Sequence, residues 1–405
     1  MSSAGAARRT IAGAMLVASC VAAPSPPPSA TIPTTGATVS PTQVPSDFPT
    51  QVPGAQAIGA DWELVLAEDG LSVSDIARGP EGWVAGGYAR CREQGCGRWV
   101  AATWFTSDGI TWTGGPIALG RQSAVSTVAT DGDRWFAAGY ASEGRAEAFR
   151  QEVLIWRSPN GREWTQVGSI PLDPPNKGIG PIGELVAGPG GLILTYLDPA
   201  DPEPMTVYWS ENGDTWVPID GAVFGVPPDG SLGFFDAATV VDGRFVMASV
   251  CEECGTVWSS RNGRDWTLDA TFDESARGLA IGSDGRRVVV VISVGDCASE
   301  CEIEIWHSDD GRTGWERTPQ ALPVAEPKLT YAADRFILTG TIEDRDDPNA
   351  GAHVFTSLDG ITWAEFFETD FDVTECYFEA LEGAENRAVL LGSNDCEGIW
   401  LSRAP

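Results

Sequence analysis

Short apolar stretches alternate along most of the chain with clusters of Gly, Pro, Asp and Asn. Ser72–Ala77 is followed by the turn residues Gly79-Pro80-Glu81-Gly82 and then by Trp83–Tyr88. The same order returns around Asp131-Gly132-Asp133, Gly188-Pro189-Gly190-Gly191, Asp242-Gly243, Asp284-Gly285, Ala332-Ala333-Asp334 and Gly383-Ala384-Glu385. Short apolar runs bounded by such turns predict antiparallel hairpins.

A second hairpin follows each of the first six, marked by Ser or Thr, any residue, Asp or Asn, Gly, and then a Trp. The copies are Thr106–Gly109 with Trp112, Ser158–Gly161 with Trp164, and Ser210–Gly213 with Trp216. They continue as Ser260–Gly263 with Trp266, Ser308–Gly311 with Trp315, and Ser357–Gly360 with Trp363. The Trp positions step by 52, 52, 50, 49 and 48 residues. Asn-Gly and Asp-Gly tolerate positive φ and predict a two-residue hairpin tip, with the Trp opening the return strand. Two hairpins per period of about 50 residues make four strands, which is one propeller blade. Trp62 lies 50 residues before Trp112 and predicts an outermost strand without a blade of its own. Ile399–Ser402 matches the strand that enters a tip. The two ends therefore complete one another, and the expected fold is an all-β, seven-bladed propeller whose last blade is closed by the N-terminal strand.

The turn signature resembles the Asp-box, or bacterial neuraminidase repeat, of sialidases and other propellers. The family's usual form, S-x-D-x-G-x-x-W, has one more residue between Asp and Gly, and three copies here carry Asn for Asp. The resemblance implies that Asp108, Asn160, Asn212, Asn262, Asp310 and Asp359 are structural turn residues away from any active site. A sialidase would further need a Tyr nucleophile helped by Glu, an Asp acid/base, three Arg and an Arg-Ile-Pro motif. That motif is missing, Arg78-Gly79-Pro80 being the nearest string, and Tyr331 and Tyr377 are the late Tyr candidates.

The first sixty residues read differently. Arg8 and Arg9 precede the apolar run Ile11–Ala18, which ends in Ser19-Cys20. That is the layout of a secretory signal and is too short to span a bilayer. Val17–Cys20 resembles a bacterial lipobox, which implies lipid attachment at Cys20 and a place in the bacterial cell envelope, extracytoplasmic and membrane-anchored. The expected organisation is a lipoprotein signal peptide over 1–20, a Pro/Ser/Thr-rich disordered linker over 21–59 and the propeller over 60–405.

Charge changes the functional picture. The chain has 405 residues and a formal net charge of −31. Its only lysines are Lys177 and Lys328, which excludes a general nucleic-acid binder. The loops between second and third strands, from Glu143 to Glu397, carry 18 Asp and Glu against Arg145, Arg150 and Arg345. The first such loop alone is basic, with Arg90, Arg92 and Arg98. An acidic face of this kind favours cations, basic protein surfaces and amine-bearing ligands. Asp344, Asp346 and Asp347 are its densest oxygen cluster and a candidate calcium loop; otherwise neither metal nor cofactor is expected. In an exported chain the close pairs Cys91 and Cys96, Cys251 and Cys254, and Cys297 and Cys301, with Cys376 and Cys396, read as disulfides, with zinc at Cys251–Cys254 as the rival reading. His307 reads as a surface strand residue and His353 as a structural one. These features together point to a monomeric, non-catalytic binding or scaffold module for a glycan or protein partner, touching the membrane only through its anchor. The alternative is a sialidase-like glycoside hydrolase.

Overall fold

The computed structural model describes residues 62–66, 71–90, 99–118, 121–143, 150–171, 182–196, 206–224, 237–251, 254–272, 276–296, 300–322, 324–332, 334–342, 351–365, 376–383, 388–394 and 398–402. These residues form seven antiparallel sheets of four strands each. Six sheets are consecutive in sequence, and blade 1 runs Leu71–Gly79, Gly82–Arg90, Trp99–Thr106 and Thr113–Pro116 from the inside outward. In the seventh, Cys376–Gly383, Ala388–Asn394 and Gly398–Ser402 are joined on the outside by Trp62–Leu66. Trp62 pairs with Ser402 and Leu64 with Trp400, so the two ends of the propeller close the ring as the sequence implies.

The core lies in the seams between blades. Val84, Ala101 and Phe105 of blade 1 pack with Val125, Trp135 and Trp156 of blade 2. Across the closing seam, Val389, Leu391 and Leu401 of blade 7 pack with Leu71, Trp83 and Trp104 of blade 1. Middle strands are covered on both faces. For that reason Val288–Ile292 is an unbroken apolar run with every residue buried, where a half-exposed strand would alternate. Each fully buried Trp, Phe or Leu contributes roughly 1.5–3 kcal/mol of hydrophobic stabilisation.

The six signature turns differ from the expected hairpin tip. Five span six residues, Ser107–Trp112 in blade 1, the blade 5 turn spans seven, and the Trp stands just before the outer strand. Positive φ falls on the signature Gly, and in blade 5 on Gly314 as well, whereas a type I′ tip needs it at both central positions. The Asx side chain organises the loop. Asp108 Oδ1 accepts from the amides of Ile110 (2.8 Å) and Thr111 (2.9 Å), and the Trp112 indole donates to the Gly109 carbonyl (3.0 Å). Asn160 and Asn262 make the same pair of contacts, because only the Oδ1 acceptor is used. In blade 5 one extra residue separates Gly311 from Trp315. Asp310 still caps the turn, and the Thr313 amide holds its carboxyl down to about 2. The Trp315 indole, however, is buried without a hydrogen-bond partner.

These turns also lock neighbouring blades. A Cβ on Gly263 would lie 2.4 Å from Trp209 Cδ1 of the preceding blade, and φ there is +70°. Arg264 next to it stacks its guanidinium 3.5 Å from the Trp209 ring centroid. Arg162 does the same over Phe105 at 3.7 Å. Ion pairs follow the same seams, from Arg157 to Asp214 (2.9 Å) and from Arg312 to Asp269 (3.7 Å).

Gly263→Ala should therefore combine backbone strain with a clash, costing about 3 kcal/mol. Gly285→Ala is the control: its φ is +89°, but no atom lies within 4 Å of the added carbon. Strain alone should cost it about 1 kcal/mol. Urea midpoints measure the difference, and equal losses would remove the seam from the explanation.

Candidate functional site

Inner strands of a propeller face the ring axis. Here they enclose a cavity of about 350 Å³. Its polar lining includes Asp75 from blade 1, Glu184 from blade 3, Lys328 and Tyr331 from blade 6, and Glu382 from blade 7.

The local backbone explains why polar side chains stand there. The inner strands carry irregularities at similar places, between Val73 and Asp75, Val125 and Thr127, and Ile182 and Leu185. A bulge takes amides out of the ladder, and buried amides need partners. Side chains of the preceding blade supply them. Asp75 Oδ2 accepts from the Val128 amide of blade 2 (2.8 Å), and Thr127 Oγ1 accepts from the Leu185 amide of blade 3 (3.1 Å). Asp75 Oδ1 accepts from the Ile76 amide (2.7 Å), so both its oxygens are engaged.

Burial raises the Asp75 carboxyl to about 6, against the opposing pull of the Val128 amide, the Thr127 hydroxyl, the Ile76 amide and the Lys328 charge. Burial likewise raises Glu382 to about 7; the Asp75 charge adds to the rise, while the Gly383 amide and Arg78 oppose it. Two acids whose protons come off near neutrality therefore face one cavity. Tyr331 turns the edge of its ring to Phe336, with centroids 5.1 Å apart, and burial raises its hydroxyl.

The other residues singled out from the sequence fall elsewhere. Arg90 is exposed at the end of a blade 1 strand and does not line the cavity, and Tyr88 meets Trp99 edge-on. Arg92, Arg98, Cys91, Cys96, Cys297, Cys396 and the calcium candidate Asp344, Asp346 and Asp347 lie outside the described residues, as do Cys20 and the side chains of Tyr377, Cys301 and Cys376. Among the described residues no cluster of three or more His, Cys, Asp or Glu is arranged to hold a metal ion. Cys254 is disulfide-bonded, and Cys251 is its register partner across the hairpin.

Of the acids assigned to the loop face, only Glu152 and Glu304 have described side chains, and both belong to strands. Glu152 is paired with Arg121, and Glu304 is buried against Arg317 at 2.5 Å. Neither is a free loop charge, because each strand carries it back against a basic neighbour. His307 also departs from expectation. It is 8% exposed, since the outer strand Glu316–Arg317 pairs beside it, and burial lowers its pKa. His353 has its Nδ1 2.6 Å from Glu365 Oε1 and stacks on Phe355.

No family model matches the chain, and no curated protein matches it in sequence. Solved structures do overlap with it. Trypanosoma rangeli sialidase aligns at 11% identity and a TM-score of 0.40, covering 73% of this chain and 54% of its own. An exo-β-1,3-galactanase from Clostridium thermocellum aligns at 11% identity and 0.39, covering 59% and 60%. A thermostable family-43 glycoside hydrolase aligns at 12% identity and 0.35, covering 62% and 95%. The chain thus spans about half the length of the sialidase it overlaps.

Asp75→Ala should leave the Ile76 and Val128 amides without their acceptor. A loss of about 2–6 kcal/mol in unfolding free energy is expected, at about 1–3 kcal/mol per orphaned buried group. Asp75→Asn keeps an acceptor for one of the two amides and should lose about half as much. Chemical denaturation at pH 6 compares them, and an Ala variant as stable as the parent would show that the bridge between blades 1 and 2 is incidental.

Proposed function

We propose that the chain is a lipid-anchored, extracytoplasmic propeller that acts as a non-catalytic binding or scaffold module for a glycan or protein partner. Asp75 is the observation that supports this reading. Both its oxygens are taken by backbone amides of two adjacent blades. Asp75 of the axial cavity thus uses a lone pair of each oxygen to hold adjacent blades together. A proton-transferring acid needs to reach the group it serves.

The second reading is a sialidase-like glycoside hydrolase. What favours it is the pairing of Asp75 and Glu382, two carboxyls with raised pKa in one cavity, which is the pattern of acid and base in glycoside cleavage. The two readings separate in one experiment. The protein is applied to a glycan array and to an envelope extract for capture, and in parallel to a panel of fluorogenic glycosides. Retention of an unaltered ligand with no turnover is the expected result. Turnover that Glu382→Gln abolishes would put the hydrolase reading in its place.

Anchoring through Cys20 explains the short signal and the Pro-rich spacer before the first strand, since several acyl chains on one residue give stable membrane attachment. In a bacterial host that processes lipoproteins, the parent chain should fractionate with membranes and incorporate labelled fatty acid. Cys20→Ala should lose both properties; a variant that stays acylated would refute the assignment.

A further inference from the structure

We propose that Asp75 and Glu382 form a proton-dependent latch on the closing seam of the ring, holding blades 7 and 1 together when one of the two is neutral and loosening them when both are charged.

The seam is the place where the ring depends on non-covalent closure. Blade 7 is assembled from both ends of the propeller, with Trp62–Leu66 held to Gly398–Ser402 by strand pairing. Its innermost strand, Cys376–Gly383, carries Glu382, and the innermost strand of blade 1, Leu71–Gly79, carries Asp75. Both side chains face the same axial cavity. Asp75 is tied by the Ile76 and Val128 amides, and Glu382 Oε2 accepts from the Gly383 amide (3.1 Å).

Two fixed carboxylates at one site repel when both ionise. The charges that answer them are few. Arg78 lies at the end of the blade 1 inner strand, and Lys328 stands on that of blade 6. Glu184 lines the same cavity from blade 3 as a further carboxyl. Tyr331, also on blade 6, is a neutral neighbour whose hydroxyl is raised. The segment Gln122–Thr130, which packs on Asp75 from blade 2, contributes only the Thr127 hydroxyl and the Val128 amide.

The direction of the pH effect follows. Both acids have folded pKa values above their ordinary ones, at about 6 and about 7. The folded ring then binds protons more tightly than the unfolded chain. Its stability from this pair is fully present below the ordinary carboxylate range and is lost as pH rises through 6 and 7.

Thermal unfolding of the full chain between pH 5 and 8.5 tests the latch, together with amide hydrogen exchange corrected for the intrinsic pH dependence of exchange. The parent should melt at least about 3 °C lower at pH 8.5 than at pH 6, a shift readable for a domain of this size. Glu382→Gln, which cannot ionise, should lose at least half of that drop. Exchange in 62–66 and 398–402 should quicken with pH in the parent more than in Arg244–Cys251 on the far side of the ring. His307 and His353 sit in blades 5 and 6, so loosening that follows them would not be confined to the seam. A Glu382→Gln protein that keeps the whole drop overturns the proposal, as does seam exchange that tracks Arg244–Cys251. If that variant does not fold, the exchange comparison in the parent chain alone decides.

Discussion

Every blade here has two apolar faces, and that is the constraint from which the rest follows. The middle strands are buried by the blade on either side, as the run Val288–Ile292 shows. A blade alone would expose both faces to water, and a row of blades left open would expose one at each end. Stability is therefore a property of the closed ring. The pairing of Trp62–Leu66 with Gly398–Ser402 decides whether a closed ring exists.

Closure in turn sets what stands on the axis. Seven inner strands meeting at a small radius cannot all keep a regular ladder, and several carry a bulge there. The freed amides are met from the neighbouring blade by Asp75 and Thr127. Polar side chains are thus drawn to the axis by backbone need. The same residues give the cavity its charge, so structure and site share one set of atoms. This is also why a carboxylate in the cavity is weak evidence of catalysis by itself: it already has a structural reason to be there.

The turns were legible in the sequence because their chemistry is local. Asx, Gly and Trp at fixed spacing act within six residues, and six copies made the period visible. The detail that escaped was the turn type, since Asn-Gly and Asp-Gly favour a two-residue tip in isolation. The Trp, by donating to the Gly carbonyl three residues back, holds a wider loop instead. Blade 5 makes the point by exception. One extra residue before Trp315 breaks the spacing, and that indole is left without a partner.

The axial acids were not legible for the opposite reason. Asp75 sits in Ser72-Val73-Ser74-Asp75-Ile76 at what reads as an outward strand position, and Glu382 stands beside a turn. Nothing local marks either as buried. Their proximity exists only because the ring brings residue 382 back to residue 75, a relation carried by topology and by no motif. Lys328 was the available hint. It is one of two lysines in the chain, placed on an inner strand where a charge has no solvent-facing purpose. The loop acids drew attention because they are numerous, yet the two with described side chains are neutralised by Arg121 and Arg317. In a strongly acidic chain, count is a poor guide to electrostatic consequence. What matters is whether a carboxylate is screened by water, matched by a guanidinium, or held near another carboxylate with only partial compensation. Among the described acids whose pKa is pushed near neutrality, Asp75 and Glu382 are the two that meet the last condition, and they do so at the seam where the ring can open.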